Sequence, residues 1–329
     1  MPRSQQSSCY VSLFKEKASS SSPPLPAQMP RLFFLLLALS SIPILCQQQS
    51  LPPGGKNVFV LAGQSNMAGR GGVVNERWDG IVPGECRPST RIFRLNARLE
   101  WEQAREPLHA DIDYSKTNGI GPGMAFANQM VSDDRWMGAV GLVPCAVGGT
   151  NISQWRRGGR LYRDLVKRAE ESIRGGGGIR GLVWYQGESD TRVEPDANSY
   201  KGKMEKFIRD LRFDLHFPTL PVIQVALASG EGPYIEKVRQ AQLGIDLPGV
   251  VTVDAKGLPL EEDNLHLTAG SQVKLGKNLA DAYLKHFTIF LPILSSHGAL
   301  DVEKSEASRL IWTPFLAILS LGWIFSISF

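Results

Sequence analysis

The feature that most constrains this chain is an alternation of short apolar runs with longer stretches of helical spacing. The apolar runs are rich in Val and Ile and lie at 57–63, 137–146, 179–187, 220–228 and 249–255. Stretches of helical spacing lie at 122–133, 161–174, 199–215, 233–245 and 268–287. Uninterrupted apolar runs are typical of strands covered on both faces. The pattern predicts one three-layer α/β/α sandwich over 50–287, with a mostly parallel sheet of about five strands.

Both ends of the chain depart from this pattern. Residues 1–49 form a leader rich in Ser, Pro and Gln, and 29–46 resemble a secretory signal peptide, with Met29 as an alternative start. Residues 288–329 form a polar spacer and an apolar tail, the layout of a GPI-attachment signal. A C-terminal membrane helix and a wrongly spliced terminal exon are the alternatives. These features predict a secreted or extracellular protein with attachment to a membrane through its tail.

Charge and cysteine content restrict the partners and the redox chemistry. The net charge is only +4 over 329 residues, and no basic block interrupts the middle of the chain. Nucleic acid is therefore not expected as a partner, because phosphate binding requires a concentrated basic face. Cys86 and Cys145 lie within the predicted domain. The sequence allows a disulfide between them, but it favours a buried apolar role for Cys145.

A serine follows the first predicted strand in "GQSNMAG" (63–69). In an open parallel sheet, ligands bind beyond the carboxyl ends of the strands, which is where Ser65 lies. Backbone N–H groups at the start of a helix stabilise negative charge there. Ser65 is thus a candidate nucleophile, with a helix N-cap as the alternative. The segment 70–120 lacks the alternation and is expected to extend over the active face.

Three further polar clusters supply the groups that a serine nucleophile requires. "AVGGTNISQW" (146–155) offers the Gly149 N–H as an oxyanion donor, and "WYQGESD" (184–190) offers the Gln186 amide. "EEDNLHLT" (261–268) places Asp263 three residues before His266. One turn can bring this carboxylate against the imidazole and leave the other ring nitrogen free as a base.

Other catalytic patterns are missing from the sequence. Position 67 is Met, so the Gly-x-Ser-x-Gly elbow of α/β-hydrolases is not formed. No cluster has the spacing of zinc ligands, and no Gly-x-Gly-x-x-Gly follows the first strand. The sequence therefore predicts a serine hydrolase that uses no metal and no cofactor.

Four ordered motifs, "GQSNMAG", "GGT", "WYQGESD" and "DNLHLT", resemble those of the SGNH-type carbohydrate esterases. The resemblance is to the sialate O-acetylesterase-like (SASA) domain of carbohydrate esterase family six, especially its plant branch, and covers about 56–287. It implies an SGNH hydrolase-like fold. It also implies hydrolysis of O-acetyl esters on carbohydrates, such as acetylated xylan, through an acetyl-enzyme.

The same resemblance implies a role for each site residue. Ser65 is the nucleophile, His266 the general base and Asp263 the group that orients it. The N–H groups of Ser65 and Gly149, with the Gln186 side chain, form the oxyanion hole. A shift of one residue in the alignment would replace Gly149 by Gly148.

Side chains beside the motifs are candidates for substrate binding or for positioning the catalytic groups: Gln64, Asn66, Glu188, Asp190 and Trp155. Trp78, Arg156 and Arg157 could also line a sugar site, with surface arginine and packed tryptophan as the alternative. Two other functions remain open at this point. One is a glycan-binding module without catalysis on the same fold, and the other is an esterase for a small acetylated metabolite or lipid.

Overall fold

The computed structural model describes residues 55–133 and 138–288. The predicted leader and signal peptide lie outside the described residues, and so does the predicted tail except for Thr288. Among the helices of the described part, none has both the length and the apolar character needed to cross a membrane.

Seven strands form the main sheet of the described domain. They are β1 (Lys56–Gly63), β4 (Ile92–Leu95), β5 (Trp101–Gln103), β6 (Ala139–Pro144), β7 (Gly177–Tyr185), β8 (Val222–Ala226) and β9 (Val250–Asp254). Two short strands, β2 (Val73–Val74) and β3 (Arg77–Trp78), pair separately as a hairpin. The order across the main sheet is β5-β4-β6-β1-β7-β8-β9. Only the edge pair β4 and β5 is antiparallel among these strands.

The mostly parallel α/β sheet is confirmed, but its strand number is seven rather than about five. The two additional strands lie in the segment 70–120, where no strand was predicted. Strand β4 is only four residues long and buries only its two terminal side chains, and β5 has three residues, none of them fully buried. Such short, partly exposed edge strands lack the continuous apolar run that marks a central strand.

Helices cover both faces of the sheet. They are α1 (Ser65–Ala68), α2 (Pro122–Ser132), α3 (Arg160–Glu171), α4 (Glu194–Asp214), α5 (Ile235–Leu243) and α6 (Ala269–Phe287). On β1, the ring of Phe59 makes edge contacts with Phe126 of α2 and Tyr283 of α6, each with ring centroids 4.9 Å apart.

The opposite face is covered around Trp184 of β7. Trp184 pairs with Ala62, three residues beyond Phe59 on β1, so Trp184 and Phe59 point to opposite faces. The Trp184 ring packs against Phe207 of α4 with centroids 4.6 Å apart. The sheet therefore lies between two helical layers, as the sequence predicts.

The ends of β1 and β7 approach so closely that β1 must end in glycine. Gly63 has φ +135°, and a Cβ atom there would lie 2.0 Å from the carbonyl oxygen of Tyr185. That same carbonyl accepts a hydrogen bond of 2.9 Å from the Gln64 N–H. This contact joins the loop that carries Ser65 to the loop that begins at Gln186.

The two cysteines of the domain are free and buried. Burial raises the pKa of the Cys86 thiol to about 12 and that of the Cys145 thiol to about 11. The disulfide that the sequence allows is therefore not formed, and Cys145 has the buried apolar role that the sequence favours.

Candidate active site

Ser65 lies at the carboxyl end of β1, in the single turn α1. The N-cap of α1 is Gln64, and Ser65 is its first residue, which excludes the alternative of a serine cap. Ser65 is 5% exposed. Across 55–133 and 138–288 its hydroxyl has no hydrogen-bond partner, so the oxygen is available for chemistry.

Backbone N–H groups from two loops meet around Ser65. A Cβ atom at Gly148 would lie 3.5 Å from the Ser65 Cβ, so the loop after β6 passes directly beside the serine. Gly149 has φ +73°, in the left-handed region that favours glycine. Within the described residues, no acceptor pairs with the N–H of Ser65, Gly148 or Gly149. Unpaired backbone donors beside a nucleophile suit an oxyanion hole.

Asp263 and His266 are in direct contact. The Asp263 Oδ2 lies 2.5 Å from the His266 Nδ1, and its Oδ1 accepts the N–H groups of Leu265 and His266 at 2.9 Å each. Partial burial alone would raise the pKa of the Asp263 carboxyl, but these hydrogen bonds and the imidazole hold it below its usual value. An ionised Asp263 keeps the proton on Nδ1, which leaves Nε2 as the basic nitrogen.

Asn66 connects the serine loop to the histidine loop. Its Oδ1 accepts the N–H of Leu267 at 2.9 Å, and its Nδ2 donates to the carbonyl of Leu265 at 3.3 Å. These two groups flank His266 on either side. The residue after Ser65 thereby fixes the backbone that carries the proposed base, although the two loops are 201 residues apart at this bond.

Glu188 holds the side chain of Asn66 in place. Its Oε1 accepts a hydrogen bond of 2.8 Å from the Asn66 Nδ2. The side chain of Glu188 is completely buried, as is that of Asn66. Glu188 was a candidate either for substrate binding or for positioning the catalytic groups, and its burial and its bond to Asn66 agree with the second role.

Gln186 is also a positioning residue, which corrects its predicted role in the oxyanion hole. It is completely buried, and its Nε2 donates to the Thr150 carbonyl at 2.9 Å and to the Asp190 Oδ2 at 2.6 Å. An amide nitrogen carries two protons, and both are engaged by these acceptors. Asp190 also accepts the N–H of Ile152. Gln64 is buried beside this group. These residues stabilise the loop after β6.

Burial raises the pKa of two carboxyls in this network. The pKa of Glu188 is raised to about 7 by desolvation, although the hydrogen bond from Asn66 lowers it. The pKa of Asp190 is raised to about 6 by desolvation, opposed by the Gln186 bond. In the unfolded chain both carboxyls return to ordinary values near 4. The folded protein therefore binds additional protons between about pH 4 and pH 7.

This difference predicts that the stability of the protein depends on pH. Glu188→Gln should make that dependence weaker. The Glu188 contribution is complete below its ordinary pKa of 4.5 and is lost as the pH rises to about 7. In Glu188→Gln, the amide side chain can still accept the hydrogen bond from Asn66 but does not titrate. Between pH 4 and pH 8, the unfolding free energy of the wild type should therefore fall by about 2 to 3 kcal/mol more than that of the variant. Urea unfolding of both proteins at the two pH values measures this change. An equal difference at both values would contradict the prediction.

A buried ion pair that the sequence motifs do not reveal lies beside Gly148. Arg70 forms an ion pair with Asp113 and donates to Asn118 Oδ1 at 2.8 Å. The Arg70 Nη2 lies 2.7 Å from the position of a Cβ at Gly148. Arg70 directly follows "GQSNMAG", a position that could have marked it, whereas nothing in the sequence distinguishes Asp113.

An open cleft of about 370 Å³ reaches Arg70 and the Asp263–His266 pair, whereas Ser65 is not among its lining residues. Arg70, Asp263 and His266 line one part of it, and residues 73–76 and 115–117 line the remainder with Glu261 and Glu262. The segment 70–120 therefore contributes to the active face, as predicted. In the described part of the chain, no group of three or more His, Cys, Asp or Glu side chains could hold a metal ion.

Trp155 was a candidate for substrate binding or for positioning, and the structure places it in the core. It is completely buried, and its ring packs edge-on against Trp184 with centroids 5.1 Å apart. The exposed Arg156 and Arg157 line a different cavity, of about 360 Å³, which His266 does not line. Trp78 is half-buried in the hairpin strand β3. The packed-tryptophan alternative is thus correct for Trp155.

Comparison with known proteins gives consistent results. Residues 55–285 match the family described as carbohydrate esterase, sialic acid-specific acetylesterase (SASA). A probable carbohydrate esterase of Arabidopsis thaliana is 56% identical over 247 residues, which cover 73% of this chain and 94% of that protein.

Solved structures share the fold. A crystal structure of an Arabidopsis thaliana protein is 56% identical in sequence and has a TM-score of 0.69. The match covers 71% of this chain and 100% of the chain of that structure. The structure of NanS has a TM-score of 0.56 at 17% identity, and the match covers 71% of this chain and 98% of the NanS chain. The second likeness supports the fold alone.

Proposed function

Because this chain belongs to the carbohydrate esterase family of sialic acid-specific acetylesterases, and is thus a carboxylic ester hydrolase, we propose that it removes O-acetyl groups from carbohydrates through an acetyl-enzyme at Ser65. The observation that carries the proposal is the Asn66 bridge, which fixes the backbone on both sides of His266 to the residue after Ser65. The contact between Asp263 and His266 supports it further.

In the first half of the proposed reaction, the His266 Nε2 takes the proton of the Ser65 hydroxyl while Oγ attacks the acetyl carbon. The N–H groups of Ser65 and of Gly149 or Gly148 stabilise the oxyanion, and each such donor contributes roughly 3 kcal/mol to lowering the barrier. The sugar oxygen then leaves with the proton from Nε2. Asp263 stays ionised and stabilises the imidazolium.

In the second half, water replaces the sugar. The His266 Nε2 takes a proton from the water, whose oxygen attacks the acetyl carbon on Ser65. Collapse of this intermediate releases acetate, and the proton returns from Nε2 to the Ser65 oxygen. The buried network of Gln186, Glu188 and Asp190 keeps the loops in place and takes no part in proton transfer.

The substrate class in this proposal is an acetylated cell-wall glycan such as acetylated xylan. Support comes from the family and from an open cleft with polar lining, which suits a bulky hydroxylated substrate. The proposal also places the protein outside the cell, attached to a membrane through its tail; the signal-like segment 29–46 and the apolar C-terminal end support this location.

Acetate release from a panel of esters tests the function. The purified protein should release acetate from acetylated xylan or acetylated pectin as well as from an aryl acetate. A rapid acid quench should yield the Ser65 peptide with the added mass of one acetyl group. Turnover of the aryl acetate alone would favour an esterase for small molecules. Binding of the glycan without any turnover would favour a glycan-binding module.

A further inference from the structure

A second cavity lies beside the active-site cleft. It has a volume of about 270 Å³ and is lined by Tyr114, Val147 and Leu161 among others. Ser115 and Thr117, which follow Tyr114 in the chain, line the cleft that contains His266. One short segment therefore lines both cavities.

The two cavities converge on the loop that passes beside Ser65. Val147 lines the second cavity, and the next residue is Gly148, whose Cβ position lies 3.5 Å from the Ser65 Cβ. Arg70 lines the cleft, and its Nη2 lies 2.7 Å from that same Cβ position. Neighbours of Gly148 thus line both cavities, the arrangement that a substrate of more than one unit would need to reach from one cavity to the other.

Tyr114 lies at this junction and follows a residue whose side chain is held in place. Its side chain is among the most exposed large hydrophobic groups of the described residues, with 83% of its surface accessible. The preceding residue, Asp113, is 2% exposed and is held by its ion pair with Arg70. An exposed aromatic ring on an anchored backbone gives an apolar face for a ligand at low entropic cost.

The lining of the second cavity combines apolar and charged groups. Val147 and Leu161 provide apolar surface, while Arg160, Asp164 and Lys167 provide donors and acceptors. A sugar ring has apolar C–H faces and hydroxyl groups around its rim, so a cavity of this composition is suited to it. A lipid chain would offer these charged side chains no hydrogen-bond partners.

We propose that Tyr114 and the second cavity form a subsite for the sugar unit next to the acetylated one, so that the protein acts on acetylated oligosaccharides in preference to acetylated monosaccharides. The inference rests on the proposed function, since it requires a carbohydrate ester in the cleft. It adds a second binding site and a residue that determines specificity.

The test uses acetylated xylo-oligosaccharides from the monosaccharide to the tetrasaccharide, with an aryl acetate for comparison. In the wild type, kcat/KM should rise with oligosaccharide length. Tyr114→Ala should lower kcat/KM on the tetrasaccharide about tenfold, mainly through KM, because the ring contributes to binding and not to bond breaking. On the aryl acetate the same variant should stay within about twofold of the wild type.

Phe213→Ala is the matched control, because Phe213 is an exposed aromatic residue, 67% accessible, that lines neither cavity. In this variant, kcat/KM should be unchanged on every substrate. Two results would overturn the subsite while leaving the proposed function intact: an unchanged tetrasaccharide rate in Tyr114→Ala, or an equal loss on the aryl acetate. Failure of the wild type to release acetate from any carbohydrate would instead refute the proposed function and the subsite together.

Discussion

Replacing Ser65 with alanine is expected to reduce kcat on an acetyl ester by about 10⁴-fold or more, to a residual rate supplied by the oxyanion donors and by substrate binding. The variant keeps its backbone N–H groups and loses only the hydroxyl oxygen, which makes no hydrogen bond to any other described residue. Its thermal stability should therefore match that of the wild type, so a loss of activity reports on chemistry rather than on folding. Initial rates with an aryl acetate measure the effect.

Ser153→Ala provides the matched control for this variant. Ser153 lies in the helical turn after the proposed oxyanion loop and accepts a hydrogen bond from Lys203 at 2.8 Å. It lines the cavity that His266 does not line. Its loss should change kcat less than threefold or so, in line with the small effects of surface substitutions. Wild-type activity in Ser65→Ala would refute the acetyl-enzyme.

Replacing His266 with alanine should cause a loss of similar size, because His266 is the proposed acceptor of the serine proton. In a serine hydrolase the nucleophile and the base act as a unit, and removal of either costs about as much as removal of both. The double variant Ser65→Ala/His266→Ala should therefore be no slower than either single variant. Additive losses would mean that the two residues do not act together.

The loss of kcat in Asp263→Asn should be about tenfold smaller than in His266→Ala, or smaller still, because the carboxylate orients the base but does not carry the proton. His286→Ala is the control for loss of a histidine. His286 lies in the last turn of α6, exposed and outside the cleft, and its loss should leave the rate unchanged. Retained activity in His266→Ala would require a different base.

The sequence predicts the central fold well because the central strands are continuous apolar runs. All five predicted strands and all five predicted helices are present, with boundaries that differ by a few residues. The edge strands β4 and β5 were missed because neither is a continuous buried run. The single turn α1 is too short to show any periodicity.

The local part of the site could also be predicted, whereas its long-range contacts could not. Asp263 and His266 meet because they are three residues apart. The packing of Gln186, and the choice between the alternatives for Trp155, could not be predicted because their buried partners, Thr150 and Trp184 among them, lie on other segments. The ion pair of Arg70 with Asp113 joins loops 43 residues apart. Such pairings follow from the packing of the sheet and carry no local signal.

The Asn66 bridge joins two segments that lie near opposite ends of the domain sequence. The proposed nucleophile directly follows the first strand of the domain and the proposed base lies just before its last helix, so most of the domain must be made before the two can meet. Closing so long a loop is entropically costly and depends on the packed sheet between its ends. We therefore expect esterase turnover only once the domain has been completed, so that turnover would report on completion of the domain.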